Sequence, residues 1–229
     1  MPQIRYLKIR FNQDISVRDI PKFRAAIIEK TERVSSLFHN HASDTQVMYR
    51  YPLIQYKITE NKASIVCLQS GTDDIHFLLQ QKEMNLRIGA KKSDFEIEDV
   101  DLHYDTVEIK DTTTSYTLHN WLALNQKHYA QWRACANDEK AQGEMLSRIL
   151  RGNILSFAKG LDWWIEGRVE VEVTAVKAIK TRRFKQNEVL TFTVEFRTNV
   201  SLPEFVGLGK GVSVGFGVLE KNKIENNKI

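Results

Sequence analysis

The stretch QIRYLKIRF, residues 3–11, alternates polar and apolar side chains with a period of two, and its reading organises the first half of the chain. Leu7, Ile9 and Phe11 fall on one face, the pattern of a strand with one side toward a core and the other toward solvent. The period then changes. Asp19 or Ser16 can cap a helix, and Ile20, Phe23, Ile27, Val34 and Leu37 recur at helical spacing, which predicts a helix to residue 37. YPLIQYKI (51–58) and ASIVCLQ (63–69) read as strands joined through TENK in a hairpin. TDDIHFLLQQ (72–81) reads as a short helix with Thr72 as its N-cap, and MNLRIG (84–89) as the strand that closes the unit. The order β-α-β-β-α-β is the ferredoxin-like arrangement, with both helices on one face of a four-stranded antiparallel sheet. It leaves the other sheet face open, a face that many RNA-binding modules use.

A second region follows. Acidic, strand-like segments occupy 94–110, and residues 117–164 read as a long helical stretch broken near Asn137-Asp138. VEVEVTAV (169–176) and VLTFTVEF (189–196) are strands, with the basic run KAIKTRRFK between them. A glycine-rich loop and the strand VSVGFGVLE end the ordered pattern. The economical reading is an α+β protein of two tandem ferredoxin-like (RRM-like) αβ sandwiches, 1–92 and 93–229, the second a diverged copy of the first.

Composition sets outer limits. Of 229 residues 42% are hydrophobic and 27% charged, which is ordinary for a globular protein. No apolar run approaches the ~20 residues that span a bilayer, so no membrane partner is expected, and the N-terminus reads as a strand and not a signal peptide. Cys67 and Cys135 are too few and too far apart for a CxxC zinc site and read as reduced thiols of a cytoplasmic protein. The net charge of +4 is unevenly spread. Residues 177–185 carry five cations and no acid, whereas 94–111 carry eight acids and one lysine. Either these are two solvated surfaces, or one face meets a polyanion from which the other is kept away.

GLGKGVSVGFG, residues 207–217, holds five of the chain's eleven glycines: Gly207, Gly209, Gly211, Gly215 and Gly217, with Lys210 among them. Such a cluster either lets backbone amides approach a phosphate or lets two sheets close tightly. The nucleotide motifs fail on spacing. A P-loop ending at Gly209-Lys210 would need glycine where Glu204 stands, and GxGxxG begun at Gly207 or Gly215 meets Val212 or Glu220 at its sixth position.

His39 and His41, in LFHNHASD, have three readings. They are solvated, or they are half of a metal site with Asp44 as a third ligand, or they transfer protons near neutral pH. The remaining histidines read more simply as packing, capping or surface residues, and Trp163-Trp164 at a helix end as a core pair, with base stacking as the alternative.

WLALNQKHY (121–129), RGNILSFAKGL (151–161) and RTNVSLPEFVGLGKGVSVGFGVL (197–219), together with the HxH pair, resemble the CRISPR-associated endoribonucleases that cut precursor CRISPR RNA within its repeats, the sixth Cas family, and specifically its b-type branch. The resemblance implies an RNA substrate, the CRISPR repeat, and no metal or other cofactor. It implies that His39 and His41 are the catalytic pair in a reaction where a 2′-hydroxyl attacks the adjacent phosphate. It points to Tyr49 or Tyr51 as the residue orienting that phosphate, with strand packing as the alternative for both. It casts the glycine loop with Lys210, and the basic run Lys180, Arg182, Arg183 and Lys185, as the RNA-binding elements. Dimers occur in such a family, so a homodimer is a further expected partner, and a CRISPR effector complex another. A non-catalytic RNA-binding subunit of such a complex is the alternative reading.

Overall fold

The structure, a computed structural model, describes residues 3–31, 41–43, 46–47, 51–184 and 186–222, with backbone alone for 41–43 and 46–47. The elements run β1 (Gln3–Asp14), a 3₁₀ turn (Val17–Asp19), α1 (Ile20–Lys30), β2 (His41–Ser43), β3 (Gln46–Val47), β4 (Ile54–Thr59) and β5 (Lys62–Leu68). They continue through α2 (Gly71–Asp74), α3 (His76–Leu79), β6 (Asn85–Ile88), β7 (Lys91–Asp94), β8 (Ile97–Thr106) and β9 (Ile109–Trp121). The last are α4 (Gln126–Ala134), α5 (Glu139–Gly160), β10 (Val171–Phe184), β11 (Asn187–Val200) and β12 (Val218–Lys221). Two compact units result: Met1–Val107 with Ser156–Trp164 and Gly211–Gly215, and Glu108–Leu155 with Ile165–Lys210 and Phe216–Ile229.

In the first unit β1 does what its alternation demands. Leu7, Ile9 and Phe11 are buried with Phe23 and Ile27 of α1, Tyr56 of β4 and Ile65 of β5. The sheet order is β4-β5-β1-β8, the ferredoxin-like order, and every pairing is antiparallel. Its fourth strand is β8 and not the expected 84–89, which instead forms a separate hairpin, β6 with β7. The unit therefore runs past the expected boundary at 92. Length and charge explain the choice. β8 supplies ten residues to a twelve-residue neighbour, and its acids face the bases of β1: Lys8 stands opposite Asp101 and Arg10 opposite Asp99. Lys8 Nζ lies 3.8 Å from Asp99, and Arg10 Nε 3.3 Å from Glu98. The acidic segment is thus the complement of β1.

Two local expectations shift. The described part of the first helix is α1, ending at Lys30; Val34 and Leu37 lie outside the described residues. Thr72 caps nothing: its hydroxyl donates back to the Gln69 carbonyl at 2.7 Å, and the helix divides into the single turns α2 and α3.

In the second unit the sheet order is β10-β11-β9-β12. Residues 117–121, expected to open a helix, are instead the end of β9. As the central strand β9 is held from both sides, with Leu118 opposite Val194 of β11 and Leu219 of β12. Tyr116, Leu118 and Trp121 are all buried. That cross-strand pairing outweighs helical spacing. The expected helix break at Asn137-Asp138 is present, because Asp138 Oδ1 accepts from the Ala141 amide at 2.9 Å and starts α5 afresh. The expected strands at 169–176 and 189–196 lengthen into one hairpin, β10 with β11, that takes the basic run into a strand. Among the described residues no helix is long and apolar enough to cross a membrane.

Candidate functional site

His41 opens β2, where it pairs with Val47 of β3. His39 and Tyr49 lie outside the described residues, and so does the side chain of His41. Tyr51, just before β4, is the candidate whose surroundings are visible. Its ring meets Phe157 of α5 edge-on, with centroids 5.2 Å apart and planes at 83°. Gln55 Nε2 donates to its phenol oxygen at 2.8 Å. Gly160 supports the same ring, for a Cβ there would collide with Tyr51 Cβ and come within 2.9 Å of Cγ. A phenol that already accepts from an amide is a stronger donor of its own hydrogen, because linked hydrogen bonds polarise one another. Tyr51 is therefore held in one orientation. The FAKG segment that holds it is far away in sequence, and only its glycine hinted at close approach.

Beyond Tyr51, β4 buries polar groups on the face opposite α1. Gln55, Lys57 and Thr59, and Ser64 across on β5, are buried, as are Val66 and Leu68. That half of the sheet face is therefore covered, contrary to the open face expected from the topology; apolar Val66 and Leu68 favour covering it. Thr59 and Ser64 satisfy each other at 2.6 Å. Among the described residues Lys57 Nζ has no hydrogen-bond partner, and burial pushes its ammonium down to about 7. Nothing in the alternation of β4 distinguishes Lys57 from a surface lysine.

The glycine loop divides between the units. Gly211–Gly215 belongs to the first, where Tyr56 N–H donates to Ser213 O at 3.2 Å and Val214 packs on the core. Gly209, Gly215 and Gly217 all have positive φ and no room for a side chain. A Cβ at Gly209 would lie 2.7 Å from Trp121 Nε1, one at Gly215 would strike Ile20, and one at Gly217 the Leu208 carbonyl. These three glycines have packing reasons of their own, and Lys210 is exposed.

On β10, an edge strand, Lys180 and Arg183 are exposed and Arg182 is half-buried. Lys177 pairs with Glu195 at 3.0 Å. Among the described residues Lys180, Arg182 and Arg183 have no acidic partner. Lys185, at the turn, lies outside the described residues.

Models of two family domains match in tandem, the Cas6b N-terminal domain over residues 2–108 and the Cas6b C-terminal domain over 108–222. The chain belongs to the Cas6b family. A crystal structure of Cas6b is 30% identical, covers 96% of this chain and all of its own, and superposes with a TM-score of 0.85. A second, the crystal structure of a CRISPR RNA processing endoribonuclease Cas6b, is 27% identical over 96% of this chain and all of its own, with a TM-score of 0.72. An uncharacterised protein of Methanocaldococcus jannaschii is 36% identical over 97 residues, 42% of this chain. The match spans 64% of that curated relative's length. In Cas6b terms the domain junction at 108 falls directly after β8, consistent with β8 completing the first sheet.

Outside the HxH pair, His103 and His119 keep structural partners in this Cas6b chain. His103 lies between Asp101 at 2.8 Å and Asp105 at 3.2 Å; burial pulls its pKa down, the hydrogen bonds to both carboxylates pull it up, and the net shift is upward. His119 contacts Glu220 at 3.1 Å. The WLALN segment that His119 and His128 were expected to flank is not helical: its Trp121 ends β9 and donates to Asn153 Oδ1 at 2.9 Å.

Proposed function

We propose that this chain is an endoribonuclease that cuts CRISPR repeat RNA in a precursor transcript, using His39 and His41 for proton transfer and no metal. The observation that carries the reading is the HxH pair inside the stretch matched by the Cas6b N-terminal domain. The ribose 2′-oxygen at the cut attacks the adjacent phosphorus while one imidazole takes its proton. The bond from phosphorus to the 5′-oxygen breaks, and an imidazolium protonates that oxygen. The products are a 2′,3′-cyclic phosphate and a 5′-hydroxyl. Imidazole, with an unperturbed pKa of about 6.5, serves either role near neutral pH. Each transfer contributes about 10²–10⁴-fold in rate. Tyr51, or Tyr49 near it, orients the scissile phosphate by donating to a non-bridging oxygen. Lys180, Arg182, Arg183 and Lys185 hold the RNA backbone, with Lys210 and the amides around Gly207 and Gly211 as further contacts.

The test is scission of the protein's own repeat RNA in EDTA, beside an RNA with a 2′-deoxyribose at the cut. The reading expects cleavage of the first alone, with a cyclic phosphate end, and its loss in the His39→Ala/His41→Ala double variant. Binding of both RNAs without cleavage would make the chain a non-catalytic subunit. Cleavage abolished by EDTA would make it a metal-dependent nuclease.

A further inference from the structure

The end of α5 carries a feature that neither the core nor the chemistry above uses. Trp164 is 85% exposed, far more than any other large apolar side chain described. Indole is the largest apolar surface a protein can make, and tryptophans are on average strongly buried. Sequence reading of Trp163-Trp164 favoured a core pair, and the structure buries Trp163 only in part.

Trp164 is not on a loose tail. The helix closes with the Trp163 amide donating to the Ala158 carbonyl at 2.9 Å and Asp162 at φ 56°. This six-to-one hydrogen bond around a left-handed residue is the Schellman closure, usually made with glycine. Leu161, beside it, is buried. The backbone that presents Trp164 is thus set by the same helical turn that buries Phe157 and Ala158 and brings Gly160 against Tyr51. All these residues belong to the first unit. An exposed indole therefore stands four residues beyond the glycine that supports Tyr51.

We propose that Trp164 is a stacking platform for one unpaired base of the RNA, close to the cut. The inference rests on the endoribonuclease reading. A flat aromatic face takes any nucleobase, because every base presents a π-surface, and it adds affinity without a charge.

The experiment measures binding of the wild type, Trp164→Ala and Trp164→Phe to the repeat RNA carrying 2′-deoxyribose at the cut, with a series in which single nucleotides near the cut are abasic. Stacking predicts about tenfold to hundredfold weaker binding for Trp164→Ala and most of the affinity kept by Trp164→Phe. One abasic position should weaken the wild type by a similar factor and cost Trp164→Ala nothing further. RNA should quench tryptophan fluorescence in the wild type much more than in Trp164→Phe. Because the side chain is exposed, circular dichroism melts of the three proteins should coincide. The inference is overturned if the wild type binds and cuts RNA while Trp164→Ala binds within twofold of it. It is equally overturned if Trp164→Ala loses binding only to anionic vesicles. If the wild type neither binds nor cuts repeat RNA, the functional reading itself has failed.

Discussion

Replacing Lys57 with methionine should stabilise the protein, and by an amount that depends on pH. Lys57 is fully buried on β4 with no hydrogen-bond partner for its ammonium among the described residues, and its pKa falls from 10.5 to about 7. The unfolded chain therefore holds a proton there that the folded chain gives up between those two values. Folding pays for this below pH 10.5, in full below about 7, and not at all well above 10.5. At about 1.4 kcal/mol per unit the cost is about 4 kcal/mol near pH 7 and about 2 kcal/mol near pH 9. Methionine fills nearly the same volume without a charge, so Lys57→Met should recover that cost. The measurement is urea unfolding of both proteins across this pH range, read as the difference between them so that other titrations cancel. A methionine variant no more stable than wild type near neutrality would refute the reasoning. So would a gain equally large near pH 9, which would point to packing in place of charge.

Three other outcomes follow from the geometry. In α5, Gly152→Ala has open space around the new methyl and should add about 0.5–1 kcal/mol, whereas Gly160→Ala strikes Tyr51 and should cost about 1–3 kcal/mol and slow RNA scission; thermal melts and cleavage rates of the pair would contradict this if both variants behaved alike. Lys180→Ala and Arg182→Ala should each weaken repeat-RNA binding and lower the slope of log affinity against log salt by about 1, and a slope that stays put would remove these residues from the backbone contacts. His103 should titrate above 6.5 in NMR, and its charged form should contribute stability below 6.5 that is lost as pH rises through the raised value; Asp101→Asn with Asp105→Asn should bring the titration down, and no movement would show the pair to be unimportant.

Where the sequence read correctly, the signal was local. The strand at 3–11 and the hairpin over 51–69 were visible because residues two apart share a sheet face, and the helix break because Asp138 caps its own next turn. The misreadings concern partners remote in sequence. MNLRIG and the acidic stretch after it were equally plausible strands, and only the bases of β1, some ninety residues earlier, favour the acidic one. TLHNW has helical spacing yet lies between β11 and β12. The glycine cluster announced close approach, but not that Trp121, Ile20 and the Leu208 carbonyl are what come close.

The candidate site divides in the same way. Histidines one residue apart and a run of cations are properties of the chain itself, because residue type and spacing determine their chemistry before folding. The support of Tyr51 by Phe157 and Gly160, the burial of Lys57 and the exposure of Trp164 are properties of the fold. Solvent access and contact across a hundred residues depend on which surfaces meet, and no window of sequence contains both surfaces.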